Sequence, residues 1–165
     1  MGYRAPTPEG LKPKDLIGVP WRVAFALQSD GWYSRAEFVW YKPNAQPESV
    51  KDRPARAYEH IFLLTKSEQY FYDHEAVREK GDNGLPRNRR SVWQINTEPY
   101  PEAHFATFPR ALVVPYILAR SKRDSMVLDP FFGSGTVGIV STALNRKFVA
   151  SHHRVRMQES IDDQL

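Results

Sequence analysis

The segment that most constrains this chain lies near its C-terminal end. Met126-Val-Leu-Asp129 is a brief apolar run of strand length, and Pro130-Phe-Phe-Gly-Ser-Gly-Thr136 is a glycine-bearing turn. Val137 to Leu144 is a helical stretch with small residues, and Phe148-Val-Ala-Ser151 closes a strand, turn, helix, strand unit of α/β type. Gly133 and Gly135 let a ligand approach the backbone closely, and the helix that follows offers unpaired amides to a carboxylate or phosphate. Asp129, at the end of the strand, can accept from an ammonium or a hydroxyl. Glycines also serve tight strand-to-helix turns for structural reasons alone, so a ligand seat and a plain turn both remain open on these residues. No lysine follows Gly135, as a Walker loop requires, and the three-glycine dinucleotide fingerprint is not met. Ser134 lacks the spacing of a hydrolase nucleophile elbow and reads as a turn hydroxyl.

The rest of the sequence sets bounds. With 165 residues the chain has the length of one ordinary domain, and without cysteine a disulfide scaffold is excluded. Glycine and proline together make 22 residues, below the roughly 25–30% of low-complexity chains, and 41% of the residues are apolar. A globular domain is expected. The longest apolar run, Ala111 to Leu118, is interrupted by Pro115 and is less than half of the roughly 20 residues a membrane helix needs. Residues 1–30 carry no secretory signal pattern, so a cytoplasmic protein with no membrane partner is expected. The net charge of +4 permits an anionic partner without demanding one. Its distribution says more: Arg78, Lys80, Arg87, Arg89 and Arg90 gather against only Glu79 and Asp82, among Gly81, Asn83, Gly84 and Pro86. That pattern reads as a mobile basic loop, either solvated or set against an anion.

Upstream, residues 1–14 read as an extended lead-in, and Pro20, Val23, Ala24, Leu27 and Gly31 outline a helix of about three turns. Trp32 to Trp40 alternates as a strand, Glu59 to Thr65 suits a buried strand, Ser91 to Asn96 alternates again, and Pro109 opens a helix with Leu112, Val113, Tyr116 and Ile117 on one face. Asn44 suits either an active-site wall or a strand-end turn, and Tyr70-Phe-Tyr72 suits either base stacking or packing. Glu59-His60, Asp73-His-Glu75 and His152-His153 match no metal-ligand spacing and read as surface polar clusters, so no metal is expected.

Asp129-Pro-Phe-Phe-Gly-Ser-Gly-Thr136 resembles the S-adenosylmethionine-binding motif of the DNA amino-methyltransferases, which methylate adenine N6 or cytosine N4. His104-Phe-Ala-Thr-Phe-Pro109 resembles that family's second cofactor segment. Pro20-Trp-Arg-Val-Ala-Phe-Ala-Leu27, Asp30-Gly-Trp32, Trp40-Tyr-Lys-Pro-Asn44, Arg53-Pro54, Glu59-His60 and Arg90-Ser-Val-Trp93 follow in an order similar to its central region. The resemblance covers about residues 8–150, and the late cofactor motif is characteristic of the circularly permuted beta group. It implies an α/β, incomplete Rossmann-like S-adenosylmethionine-dependent methyltransferase fold, three-layered with a mostly parallel sheet. It implies one methyltransferase domain over residues 1–165, N-terminally incomplete, with a target-recognition insertion at 66–104 and a cofactor-binding region at 105–152. The implied cofactor is S-adenosylmethionine, held by Asp129, Pro130, Phe131, Phe132, Gly133, Ser134, Gly135 and Thr136, with Phe105, Ala106 and Thr107 closing the other side. The implied partner is double-stranded DNA, met by Arg78, Lys80, Arg87, Arg89 and Arg90.

The chain also departs from that pattern. The family's catalytic motif is an Asp, Asn or Ser followed by Pro-Pro and an aromatic residue, and Pro-Pro occurs nowhere here. Its work is to accept hydrogen bonds from the target amino group and to stack on a flipped base. No catalytic residue is therefore assigned. The resemblance places the strand bearing that motif between Met126–Asp129 and Glu37–Trp40, so a gap in the sheet and an exposed strand edge are expected. A second chain supplying the motif, a homodimer or a damaged enzyme would follow. A family acidic residue for the cofactor ribose falls at about His152. Two functions are carried forward: a DNA amino-methyltransferase or its cofactor-and-recognition part, and a non-catalytic remnant that binds DNA or a partner chain.

Overall fold

The computed structural model describes residues 7–98 and 107–151. Among these the elements run α1 (Val19–Ser29), β1 (Tyr33–Tyr41), β2 (Tyr58–Thr65), a 3-10 turn (Glu75–Val77), β3 (Glu79–Lys80), β4 (Pro86–Arg87), β5 (Val92–Gln94), α2 (Arg110–Arg120), β6 (Met126–Asp129), α3 (Thr136–Ala143) and β7 (Lys147–Ala150). Pro20 sits in the first turn of α1, where its missing amide costs nothing. The helix ends at Gly31, whose φ of +88° allows Trp32 to donate back to the carbonyl of Leu27.

The strands form three separate sheets. One has the order β2-β1-β5, with β1 antiparallel to β2 and parallel to β5; the others are the β3–β4 hairpin and the parallel pair β6–β7. The alternation read along β1 is only half realised as burial. Trp40 is buried on the inner face, yet Glu37 and Val39 on the opposite face are half-buried too. The reason is α1, which lays Trp21 against the rings of Phe62 and His60 at 4.9 and 5.1 Å and so covers that second face.

The core comes in two clusters joined by α2. Trp40, Trp93 and Leu112 form the first, with Phe38, Ile61, Ile95 and Tyr116 around them. Val113, Ile117 and Val140 form the second, with Val114, Val137 and Leu144. Adjacent positions of one helix thus serve the β1 sheet and α3, because a helix in such a layer has a broad apolar stripe. Arg146 then pins the end of α2 to the α3–β7 corner, donating to the carbonyl and hydroxyl of Ser121 at 2.6 and 3.1 Å. The β6–β7 pair is not hydrogen-bonded to the sheet containing β1. A cavity of about 510 Å³ lies between them, lined by Trp40, Ile61, Leu112, Tyr116, Met126 and Val127 among others.

Residues 78–90 were expected to be a mobile loop, and here the structure differs. Glu79–Lys80 and Pro86–Arg87 pair as a short hairpin, with the amide of Gly81 donating to the carbonyl of Leu85 at 2.8 Å. Charge pairing within the turn supplies the order: Arg87 contacts Glu79 at 2.9 Å and Asp82 at 3.0 Å. No helix among the described residues is long and apolar enough to cross a membrane.

Candidate functional site

The glycine turn sits at the C-terminal end of β6, where an open α/β sheet places ligands. Asp129 is half-buried, and its carboxylate accepts from the amide of Phe131 at 3.0 Å, which tightens the start of the turn. Gly133 has φ +49° and Gly135 φ +78°, both in the left-handed region that glycine alone enters cheaply. The amide of Gly135 donates to the carbonyl of Phe132 at 2.8 Å, and the amide of Ile139 returns to the carbonyl of Gly135 at 3.0 Å. The amides of Thr136 and Val137 therefore precede that helical bond, at the positive end of α3. Ser134 and Thr136 share a hydroxyl hydrogen bond of 3.1 Å at the same corner.

The two phenylalanines of the turn have different surroundings. Phe131 is 82% exposed. Phe132 stacks on Phe148 with 5.7 Å between centroids, and both rings lean on Gly138, where a methyl group would approach Phe132 to 2.9 Å. Phe132 thus braces the turn against α3 and β7. Pro130 and Gly133 are exposed as well, so the turn presents backbone and one aromatic ring to the outside.

Of the second cofactor segment, Phe105 and Ala106 lie outside the described residues, as do His104 and the His152-His153 pair. Thr107 is half-buried just before α2. Its neighbour Phe108 and Val137, next to Thr136, line the same cavity against α2, so the two segments meet at one rim.

The five basic residues do not act as a uniform set. Arg87 is engaged by Glu79 and Asp82, and hydrogen bonding to Glu79 first holds its guanidinium more firmly charged than usual. Arg78 pairs with Glu75 at 3.0 Å. Arg89 turns inward, its guanidinium 4.2 Å from the Trp93 ring centroid and its Nε buried without an acceptor among the described residues. Arg90 is exposed, with Asp82 no nearer than 3.9 Å, and Lys80 is exposed also. A groove of about 850 Å³ runs between the hairpin and β5, lined by Lys80, Arg87, Arg89, Arg90 and Gln94 with Glu79 as its acidic member.

Several residues read earlier as alternatives take definite places. Asn44 donates to and accepts from the backbone of Thr97 at 3.1 and 2.8 Å, joining the β1 end to the segment after β5. Tyr70 lies between the guanidinium groups of Arg35 and Arg120, at 5.7 and 4.6 Å from its ring centroid. His60 is hydrogen-bonded to Glu37, and His74 contacts Glu75 at 3.0 Å. Sequence reading missed the Arg89–Trp93–Tyr116 stack, in which the Trp93 and Tyr116 rings lie 4.6 Å apart. The spacing Arg89-x-x-x-Trp93 offered no signal, because Tyr116 arrives from a distant helix.

A family model described as DNA methylase, the N6/N4 methyltransferase family, matches residues 4–157. The Type II methyltransferase M.Cfr9I of Citrobacter freundii is 64% identical over 149 residues, which are 90% of this chain and 50% of that protein. M.SmaI of Serratia marcescens is 60% identical over 151 residues, 90% of this chain and 52% of that protein. The chain thus spans about half the length of these curated relatives. Among solved structures, the cytosine-N4-specific PvuII DNA methyltransferase superposes with a TM-score of 0.68 at 23% identity, covering 83% of this chain and 55% of that one. The M1.HpyAVI–SAM complex superposes with a TM-score of 0.64 at 22% identity, covering 83% and 64%.

Proposed function

Since the chain belongs to the N6/N4 DNA methylase family, we propose that it is the cofactor-holding and DNA-recognising part of a site-specific DNA amino-methyltransferase. The reaction is transfer of a methyl group from S-adenosylmethionine to an exocyclic amine of adenine or cytosine in duplex DNA. The observation that carries this reading is the outward-facing turn from Asp129 to Thr136, with glycine conformations at Gly133 and Gly135 and the first-turn amides of α3 behind them.

The residues present fit the cofactor. Among the described residues no side chain fills the space outside Gly133, where a methyl group would meet only the carbonyl of Phe131, at 3.6 Å. Asp129 would accept from the ammonium of the methionine moiety, the amides of Thr136 and Val137 would face its carboxylate, and Phe131 would lie along its flank. Pro130, Ser134 and Thr107 would frame the seat, with Phe132 holding it from below. When bound, the cofactor supplies an electrophilic sulfonium methyl that the target nitrogen attacks directly. The protein's task is then alignment and exclusion of water. Within the 66–104 stretch, Arg90 and Lys80 would contact DNA phosphates, while Arg87, Arg78 and Arg89 would hold the hairpin that presents them.

Hydrogen-bond acceptors for the target amine belong to the Pro-Pro motif, which this sequence lacks. It would come from the part of the relatives' length that this chain does not span. Calorimetric titration with S-adenosylmethionine tests the seat, and transfer of labelled methyl groups to duplex DNA tests the reaction. Binding of the cofactor together with methyl transfer only after a Pro-Pro-bearing chain is added is the expected result. Absence of cofactor binding both with and without that chain would overturn the reading.

A further inference from the structure

Where β1 begins and α2 finishes, four cations are seated on aromatic rings. Arg35 donates to the hydroxyl of Tyr70 at 3.3 Å, and Arg120 lies against the same ring while donating to the carbonyl of Phe71 at 2.6 Å. The ammonium of Lys122 stands 5.4 Å from the Phe71 ring centroid. Lys66 follows Thr65, the register partner of Tyr33, and its ammonium is 3.8 Å from the Trp32 ring centroid. Arg35, Lys66 and Lys122 are exposed, and Arg120 is half-buried.

Lys14, Arg53 and Arg87 are ion-paired with Asp52, Glu48 and Glu79. Among the described residues no carboxylate lies within ion-pairing distance of Arg35, Lys66, Arg120 or Lys122. Glu68 acts on Arg35 only through space, and the carboxylate of Asp73 is occupied by the amide of Ala76 at 3.0 Å. Aromatic seats fix the charged heads without neutralising them, so part of the side-chain entropy that an incoming anion would remove is already lost. A row of charges held in this way suits a repeating anion. Arg120 and Lys122 flank the end of α2 before β6, and the glycine turn follows β6, so the row stands at the opposite end of that strand from the turn.

We propose that this cationic row is a second contact surface for duplex DNA, holding backbone phosphates outside the base pairs presented to the glycine turn. Its contribution is sequence-independent and adds to that of the hairpin groove. It rests on the reading of the chain as directed to DNA, and it names where flanking duplex is gripped.

The test follows binding of the full chain to a mixed-sequence DNA duplex by fluorescence anisotropy across a salt series. Arg35→Ala and Lys122→Ala each lower the salt slope by about one ion, and the double variant by about two. Lys14→Ala removes an equal charge, already bound by Asp52, and leaves the slope unchanged. Urea unfolding checks that each variant is folded. In the unaltered chain the duplex slows acetylation of Lys66 and Lys122 by acetic anhydride but not that of Lys14, a readout that stands even if a variant fails to fold. Unchanged slopes in folded variants, or equal acetylation with and without duplex, overturn the proposal. So does an equal fall in Lys14→Ala, which assigns the effect to net charge alone. A slope that falls in Arg90→Ala but not in the double variant rejects the row and keeps the hairpin contact. Calorimetry with S-adenosylmethionine separates the row from the methyltransferase reading: cofactor binding with unchanged slopes rejects the row alone, and lowered slopes in a chain that binds no cofactor do the reverse.

Discussion

The indole of Trp40 donates to the backbone carbonyl of Ile95 at 2.8 Å, fastening the segment after β5 to the end of β1. Both tryptophans of this contact region are buried, and Trp93 bonds in turn to the carbonyl of Arg90 at 2.7 Å. The stretch from Arg90 to Ile95 that follows the basic hairpin is thus fastened to the core by two indole nitrogens.

Trp93→Ala should be among the most damaging single changes in the chain. It removes a buried ring packed against Phe38, Tyr116 and Arg89, and losses of this kind cost about 3–5 kcal/mol. Urea denaturation measures the loss. Trp93→Phe retains part of the packing, loses the bond to Arg90, and should fall between.

Gly138→Ala separates propensity from packing. In an isolated helix alanine would gain about 1 kcal/mol over glycine. Here its methyl group would meet Phe132 at 2.9 Å and Phe148 at 3.0 Å. Overpacking wins, with a net destabilisation of about 1–3 kcal/mol. The variant should also weaken S-adenosylmethionine binding in calorimetry, because Phe132 holds the turn.

Tyr116 should govern stability in alkali. Burial, its largest influence, pushes the hydroxyl well above the ordinary phenol range, and the nearby Arg89 opposes this only in part. The folded state therefore keeps its proton where the unfolded chain has released it. The contribution is complete below the unfolded value near 10 and declines as pH rises through and beyond it. Thermal unfolding from pH 8 to 11 should show that decline in the native chain and a flatter curve in Tyr116→Phe. Because the Tyr116 hydroxyl is buried without a partner among the described residues, Phe should also match or exceed the native stability at pH 7, by about 1 kcal/mol at most.

Arg90→Ala and Arg87→Ala should differ in duplex-DNA binding followed by fluorescence anisotropy across a salt series. Loss of the exposed Arg90 should weaken binding and lower the salt slope by about one ion. Arg87→Ala should chiefly lower the stability of the hairpin, since its guanidinium is bound by Glu79 and Asp82. Equal salt slopes for the two variants would contradict this division.

Local signals disclosed the elements that hold the glycine turn. Pro20 and Gly31 bracketed α1, the apolar face of Leu112 and Ile117 marked α2, and the glycines after Asp129 marked the strand-to-helix turn, all patterns written within a few residues. The hairpin at 79–87 escaped because each strand has only two residues, too few for any periodicity, and its order comes from Arg87 reaching Glu79 and Asp82. The covered outer face of β1 escaped for another reason: Trp21 arrives from a separate helix, and alternation within one strand carries no trace of what packs on it. The turn itself was legible in its glycines, whereas the different surroundings of Phe131 and Phe132 required knowing where Phe148 stands.

Helix α2 serves the tryptophan cluster through Leu112 and the α3 cluster through Val113 and Ile117. Eleven residues therefore link the part proposed to read DNA with the turn proposed to hold the cofactor. A chimera that grafts a foreign reader onto this chain must keep the complementary seat for Leu112 and Tyr116. Otherwise the transplant tilts the shared rod and misaligns chemistry in a segment whose own sequence was left untouched.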